Sequence, residues 1–122
     1  MLMIKLQPDF EFSNRNGSII QLVNKGWNQV NVLDSKKGSK RGGHYHKENK
    51  ELFYIISGEA NLILDNGAVE EIMNLKKGDM FLVSPYQMHT FEFLEDTFMV
   101  SLYDIGVEYE DGTKDIYSEW EE

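Results

Sequence analysis

Apolar runs separated by turn-forming residues recur roughly every ten positions along the chain, the rhythm of an all-β sandwich or barrel. Ser18–Val23 is the first clear strand and follows Asn14-Arg15-Asn16-Gly17, a cluster of turn formers. Trp27–Leu33 places Val30 and Val32 on one face and Gln29 and Asn31 on the other. Gly38-Ser39-Lys40-Arg41-Gly42-Gly43 reads as a glycine-rich bend. Leu52–Ile56 is apolar almost throughout, which predicts a central strand covered on both faces. Gly58 interrupts it, Ala60–Leu64 resumes, and Asp65-Asn66-Gly67 supplies an Asn-Gly hairpin turn before Val69–Asn74. Lys76-Lys77-Gly78-Asp79 forms another turn ahead of Met80–Val83, and Pro85 ends that strand because it cannot donate to a ladder. His89–Leu94 and Thr97–Tyr103 follow, parted by Glu95-Asp96. Eight to ten strands are expected, no segment sustains a helical period, and Asp115–Glu122 fits a terminal helix or a strand equally.

A chain of 122 residues has room for one domain around one core. The pattern places the barrel at about 18–104 and an acidic tail at about 108–122. That tail carries Glu108, Glu110, Asp111, Asp115, Glu119, Glu121 and Glu122, and is expected to stay solvated and partly frayed. Trp27, Phe53, Phe81, Phe91 and Phe93 are expected in the core, and Gly42, Gly43, Gly58 and Gly78 in backbone turns. The net charge of −9, with no basic stripe against it, argues against a nucleic-acid partner. Met1–Leu6 is too brief and interrupted for a signal peptide, and no run approaches membrane-spanning length, so no membrane partner and a cytoplasmic location are expected. The chain has no Cys, which removes disulfides and thiolate ligands and leaves imidazole and carboxylate to hold any metal.

The three histidines then matter. His44 and His46 are two residues apart, so on a strand both rings leave the same face, about 7 Å apart along the backbone. Glu51 stands at the entrance to the next apolar strand, where an antiparallel return brings its carboxylate toward the two rings. Glu48 is an alternative, but it belongs to the intervening turn and is expected to face solvent. Imidazole with carboxylate suits one divalent transition metal (Mn, Fe, Ni or Zn), and the spacing does not choose among them. Arg41, just before His44, is placed to meet a phosphate or carboxylate bidentately. Tyr45 is a candidate substrate contact, and Tyr54 and Tyr86 are candidate proton donors.

Gly38, five residues, His44-Tyr45-His46, four residues, Glu51, six residues and Gly58 match the first cupin motif at every defined position. Gly78 and His89 keep the spacing of the second motif, although Pro85 is displaced by one place, and Gln87 and Phe93 stand near where the pattern favours Gly and Asn. The chain therefore resembles a small single-domain cupin. The resemblance implies an all-β double-stranded β-helix, or jelly-roll barrel, with one metal on His44, His46, Glu51 and His89. Arg41-Gly42-Gly43-His44-Tyr45-His46-Lys47 further resembles the Arg-Gly-x-His-x-His-Lys stretch of cupins in nucleotide-sugar and polysaccharide biosynthesis, among them the sugar 3,4-ketoisomerases. In those enzymes the resemblance implies His44 and His46 as acid and base without metal, whereas Glu51 is a departure toward metal binding.

Four functions follow as expectations. The first is a metal-binding isomerase or epimerase of a small sugar-like or keto-acid substrate in carbohydrate or polysaccharide metabolism. The second is a metal-free sugar-nucleotide ketoisomerase, the third a metal-dependent dioxygenase, and the fourth a non-catalytic module that captures a small ligand. Resembling cupins commonly dimerise. Leu2, Ile4 and Leu6 alternate as an edge strand in need of a partner, which makes a homodimer the expected assembly.

Overall fold

The computed structural model describes residues 2–120. Eleven strands lie among them: β1 (Ile4–Leu6), β2 (Phe10–Asn14), β3 (Gly17–Gln21), β4 (Gln29–Ser35), β5 (Lys40–His44), β6 (Glu51–Ser57), β7 (Glu59–Asp65), β8 (Glu70–Lys76), β9 (Met80–Val83), β10 (Met88–Phe93) and β11 (Thr97–Tyr103). All pair antiparallel, in a five-stranded sheet β1-β9-β6-β11-β4, a four-stranded sheet β5-β10-β7-β8 and a separate hairpin β2-β3. Among the described residues no helix is long and apolar enough to cross a membrane.

Period-two alternation builds the interior. Ala60, Leu62 and Leu64 of β7 are buried while Asn61 and Ile63 turn outward, and β10 buries His89, Phe91 and Phe93 in the same manner. These meet Phe53, Ile55, Phe81, Val83 and Met99 from the five-stranded sheet in one cluster. Phe53 stacks on Phe81 and meets Phe91 edge to face, so the expected aromatic core forms. Trp27 is only partly buried, over the opposite face of the larger sheet with Leu52, Tyr54 and Leu102.

Several local expectations are corrected. The bend expected over Gly38–Gly43 is largely strand β5. Its glycines serve a bulge: His89 pairs with His44 and Thr90 with Gly42, which leaves Gly43 as the extra residue. A Cβ on Gly42 would collide with the His89 backbone carbonyl. Strand β5 stops at His44, so His46 follows an isolated bridge between Tyr45 and Tyr117 instead of continuing a strand. Strand β2, absent from the expected set, pairs with β3 across the Asn14–Gly17 turn. The Leu2–Leu6 segment finds its partner within the chain, β1 on β9.

The acidic tail keeps Glu108, Glu110, Asp111 and Glu119 exposed as expected, but the segment is anchored where fraying was expected. Asp115 is 1% exposed, Tyr117 exchanges both backbone hydrogen bonds with Tyr45, and Trp120 stacks on Tyr45 at 4.4 Å. The segment is held by polar contacts and aromatic stacking, which outweigh its charge-rich composition. Glu121 and Glu122 lie outside the described residues, as does Met1.

Candidate functional site

Three backbone paths converge at one end of the barrel. The pairing of β5 with β10 sets His44 opposite His89, and the pairing of β6 with β11 sets Glu51 opposite Tyr103. Glu51 shares the inner face of β6 with Phe53 and Ile55, whereas Tyr54 leaves the other face. His46 arrives from the loop after β5. One ring nitrogen from each of His44, His46 and His89 can be chosen so that all lie within 4.8 Å of one another. Glu51 Oε1 stands 3.1 Å from His46 Nε2 and 3.3 Å from His89 Nε2.

Every imidazole is also anchored to backbone. His46 Nδ1 lies 2.6 Å from the Asp115 carbonyl, and His89 Nδ1 lies 3.2 Å from the Gln87 carbonyl. The Gly42 backbone hydrogen-bonds His44. A carbonyl can only accept, so Nδ1 of His46 and His89 carries a proton and Nε2 faces the centre, where it donates to Glu51 when protonated and is a free lone pair when not. Such outer hydrogen bonds orient imidazole ligands in metal sites. Three imidazoles, sulfur-free and with His46 and His89 buried, fit a divalent transition metal, and the Glu51 carboxylate beside two of them is of the same donor class.

The electrostatics separate these groups. Burial, followed by the neighbouring His89 and His46, lowers the His44 pKa to about 4, against the opposing pull of Glu51 and the Gly42 hydrogen bond. Burial pushes His46 down too, but its hydrogen bonds to Glu51 and the Asp115 carbonyl prevail and raise it. Burial alone would raise Glu51, yet hydrogen bonds from His46 and His89 bring it to about 2. Burial, then the Glu51 charge and hydrogen bond, push the Tyr103 phenol well above its ordinary value.

A cavity of about 90 Å³ opens beside the cluster. Its polar wall includes Asn31, Arg41, His44, Glu51, Ser101 and Tyr103, and its apolar wall includes Leu33, Phe53, Phe91 and Met99. Arg41 Nε donates to Ser35 Oγ at 2.6 Å and Nη2 donates to the Asp34 carbonyl at 3.1 Å, which fixes the guanidinium on that wall.

A family model described as "Cupin domain" matches residues 31–106, more than half of the chain. The chain belongs to the cupin family. No curated protein sequence matches it. Solved structures agree in fold. A 3,4-ketoisomerase from Helicobacter canadensis superposes with a TM-score of 0.80 at 18% identity, over 98% of this chain and 92% of that one. A sugar 3,4-ketoisomerase from Thermoanaerobacterium thermosaccharolyticum in complex with TDP gives 0.81 at 13% identity, over 98% and 89%. A dTDP-4-dehydrorhamnose 3,5-epimerase from Sulfolobus tokodaii gives 0.73 at 20% identity, over 91% and 74%.

Within this cupin barrel the four expected ligands and Arg41 come together, and the three expected tyrosines do not join them. Tyr45 is buried against Tyr86, Tyr117 and Trp120, and its hydroxyl donates to the Glu119 carbonyl. Tyr86 is half-exposed at the outer end of that stack. Tyr54 packs with Leu52, Met80 and Leu102 on the far face of the sheet. The cupin's cavity tyrosine is Tyr103 instead. Its signal is the alternation Met99, Ser101, Tyr103 along β11, which sends all three to the cavity. Asp115 and Asn49 were also outside the expected set, and no spacing rule marks their contact across 66 residues.

Proposed function

We propose that this cupin holds one divalent transition metal on His44, His46, His89 and Glu51 and moves a proton beside the carbonyl of a small keto-sugar or keto-acid. The observation that carries this reading is the convergence of three backbone-anchored imidazoles, two of them within hydrogen-bond reach of one buried carboxylate. When bound, such a metal supplies Lewis-acid polarisation of a substrate oxygen. The surrounding chain does the rest. Arg41, steadied by Ser35 and the Asp34 carbonyl, offers its remaining N–H groups to an anionic substituent at the cavity wall. Tyr103 keeps its proton through the neutral range and serves as a hydrogen-bond donor at the reacting end. Leu33, Phe53, Phe91 and Met99 exclude water from the other side. The cavity accommodates the reacting part of a substrate, so a nucleotide carrier would extend past Arg41 into solvent. The ketoisomerase structures complexed with TDP support that substrate class.

A second reading needs no metal: His44 takes the proton directly. It is favoured by the depressed His44 pKa of about 4, which leaves the ring neutral, with an unprotonated nitrogen free to accept a proton on the cavity wall. One experiment separates the two. The chain is purified without a metal-affinity tag, reloaded with transition metal, and assayed on a TDP-linked keto-sugar before and after chelation. Near-stoichiometric metal and activity lost on chelation are expected. Less than about a tenth of an equivalent after reloading would sink the metal reading. Turnover that survives chelation but not His44→Ala would establish the second. Oxygen uptake would point to a dioxygenase. A ligand that raises the melting temperature without product would point to a binding module.

We also propose a homodimer, on different grounds from the edge strand now paired inside the chain. Two cross-strand rows on the outer face of the larger sheet are apolar or aromatic throughout: Val32, Val100, Tyr54, Met80 and Val30, Leu102, Leu52, Leu82. Val30 and Val32 remain exposed there, as do Phe10, Phe12 and Ile19 on the adjoining hairpin. A two-stranded hairpin is marginal alone, and a second copy would cover it. Light scattering should give twice the chain mass, and Val32→Lys should shift it toward monomer. A monomeric mass for the unaltered chain at micromolar concentration would overturn the dimer.

A further inference from the structure

His46 departs from the other ligands in what holds it. Its Nδ1 donates at 2.6 Å to the backbone carbonyl of Asp115, a residue 69 positions away. That carbonyl is itself held. The Asp115 carboxylate accepts backbone hydrogen bonds from Lys47 at 2.8 Å, Glu48 at 3.0 Å and Asn49 at 2.9 Å, with a fourth from Asn49 Nδ2 at 2.9 Å. Asn49 continues the network: its Oδ1 accepts from the Ile105 and Gly106 amides, and its Nδ2 donates to the Gly106 carbonyl. Asp115 and Asn49 are each 1% exposed.

We propose that Asp115 is a positioning residue for His46. Its carboxylate, seated on the amides of the loop that carries His46, aims its own carbonyl at Nδ1 and so dictates that Nε2 faces the site. The inference rests on His46 serving the cluster described above. The geometry is reciprocal: one residue grips the loop through its side chain and the loop's imidazole through its backbone. Loss of the carboxylate leaves four N–H donors without their acceptor and frees the carbonyl to drift. Outer hydrogen bonds of this kind are worth about 10–100-fold in metal affinity.

The test compares Asp115→Ala and Asp115→Asn with Leu75→Ala, a core truncation that destabilises the barrel without touching the clasp. Two readouts are taken: Co(II) affinity by optical titration, and the downfield Nδ1–H proton of His46 by NMR on metal-free protein. Asp115→Ala should lose the proton signal and bind Co(II) about 10–100-fold more weakly. Asp115→Asn, which keeps one oxygen toward three of the donors, should fall between. Leu75→Ala should keep both readouts while its melting temperature drops. The proposal is overturned if Asp115→Ala retains the signal and binds Co(II) as Leu75→Ala does. If Asp115→Ala does not fold, an unaltered signal and affinity in Asp115→Asn overturns it equally. Should the unaltered chain bind no Co(II), the metal reading fails, and the His46 proton signal still decides the role of Asp115.

Discussion

His44 and His46 stand two residues apart, yet different parts of the molecule hold them. His44 sits on β5 and faces His89 across a ladder, and Glu51 opens a strand paired on both sides. Their positions are set by repeating backbone geometry and by the aromatic core beneath them. His46 lies past the end of β5, and a polar clasp from residues 105–117 fixes it. The difference has a physical consequence. A ladder distributes the constraint over many equivalent hydrogen bonds, whereas the clasp concentrates it in two buried polar side chains. The first half of the site should fail only with the barrel; the second should fail alone.

Phe91→Ala is the strongest way to break the ladder half. Phe91 lies one inward position beyond His89 on β10 and contacts the Phe53, Phe81 and Phe93 rings. Its loss should cost about 3–5 kcal/mol in urea denaturation and lower the stability of the whole barrel in a single transition. Asn49→Ala should do the opposite. It removes the acceptor of two backbone amides and a donor to Asp115, at a cost of about 1–3 kcal/mol. Hydrogen exchange should quicken over residues 105–117 and 45–49 first, with β7 and β10 still protected. Uniform loss of protection in Asn49→Ala would erase the distinction between the halves.

The same division governs what the sequence makes legible. His44 and Glu51 are marked by local spacing, because period-two alternation fixes which side chains of a strand share a face, and the resemblance to the second cupin motif adds His89. That alternation carries further than residue type. If His44 points inward then Tyr45 points outward, and if Glu51 and Phe53 point inward then Tyr54 does not. It also sends Tyr103 to the cavity beside Ser101. Gly42 and Gly43 read as a bend because glycine marks both turns and close backbone crossings, and only the partner strand distinguishes them. The clasp could not be read at all. Acidic composition predicts solvation. Only the fold brings three backbone amides and an asparagine to Asp115.

Acid should part the two halves more gently. Although burial pushes the Asp115 pKa up, hydrogen bonds from Asn49 and from the Lys47, Glu48 and Asn49 amides outweigh it and hold the carboxyl below its ordinary 3.8. A depressed folded pKa contributes stability that is present above 3.8 and is lost as pH falls through the lower folded value. Exchange at the amides of Lys47, Glu48 and Asn49 should therefore speed up below that pH before β7 opens. The smallest effect is reserved for Tyr45→Phe. The hydroxyl it removes donates at 3.1 Å to the carbonyl of Glu119, an exposed residue that water can serve instead. The ring keeps its stack with Tyr117 and Trp120. The cost should be about 0.5 kcal/mol by thermal denaturation, with KM for the proposed keto-sugar substrate unchanged. A rise in KM would mean that Tyr45 reaches substrate, and that the outer side of the His44–His46 segment belongs to the site as well.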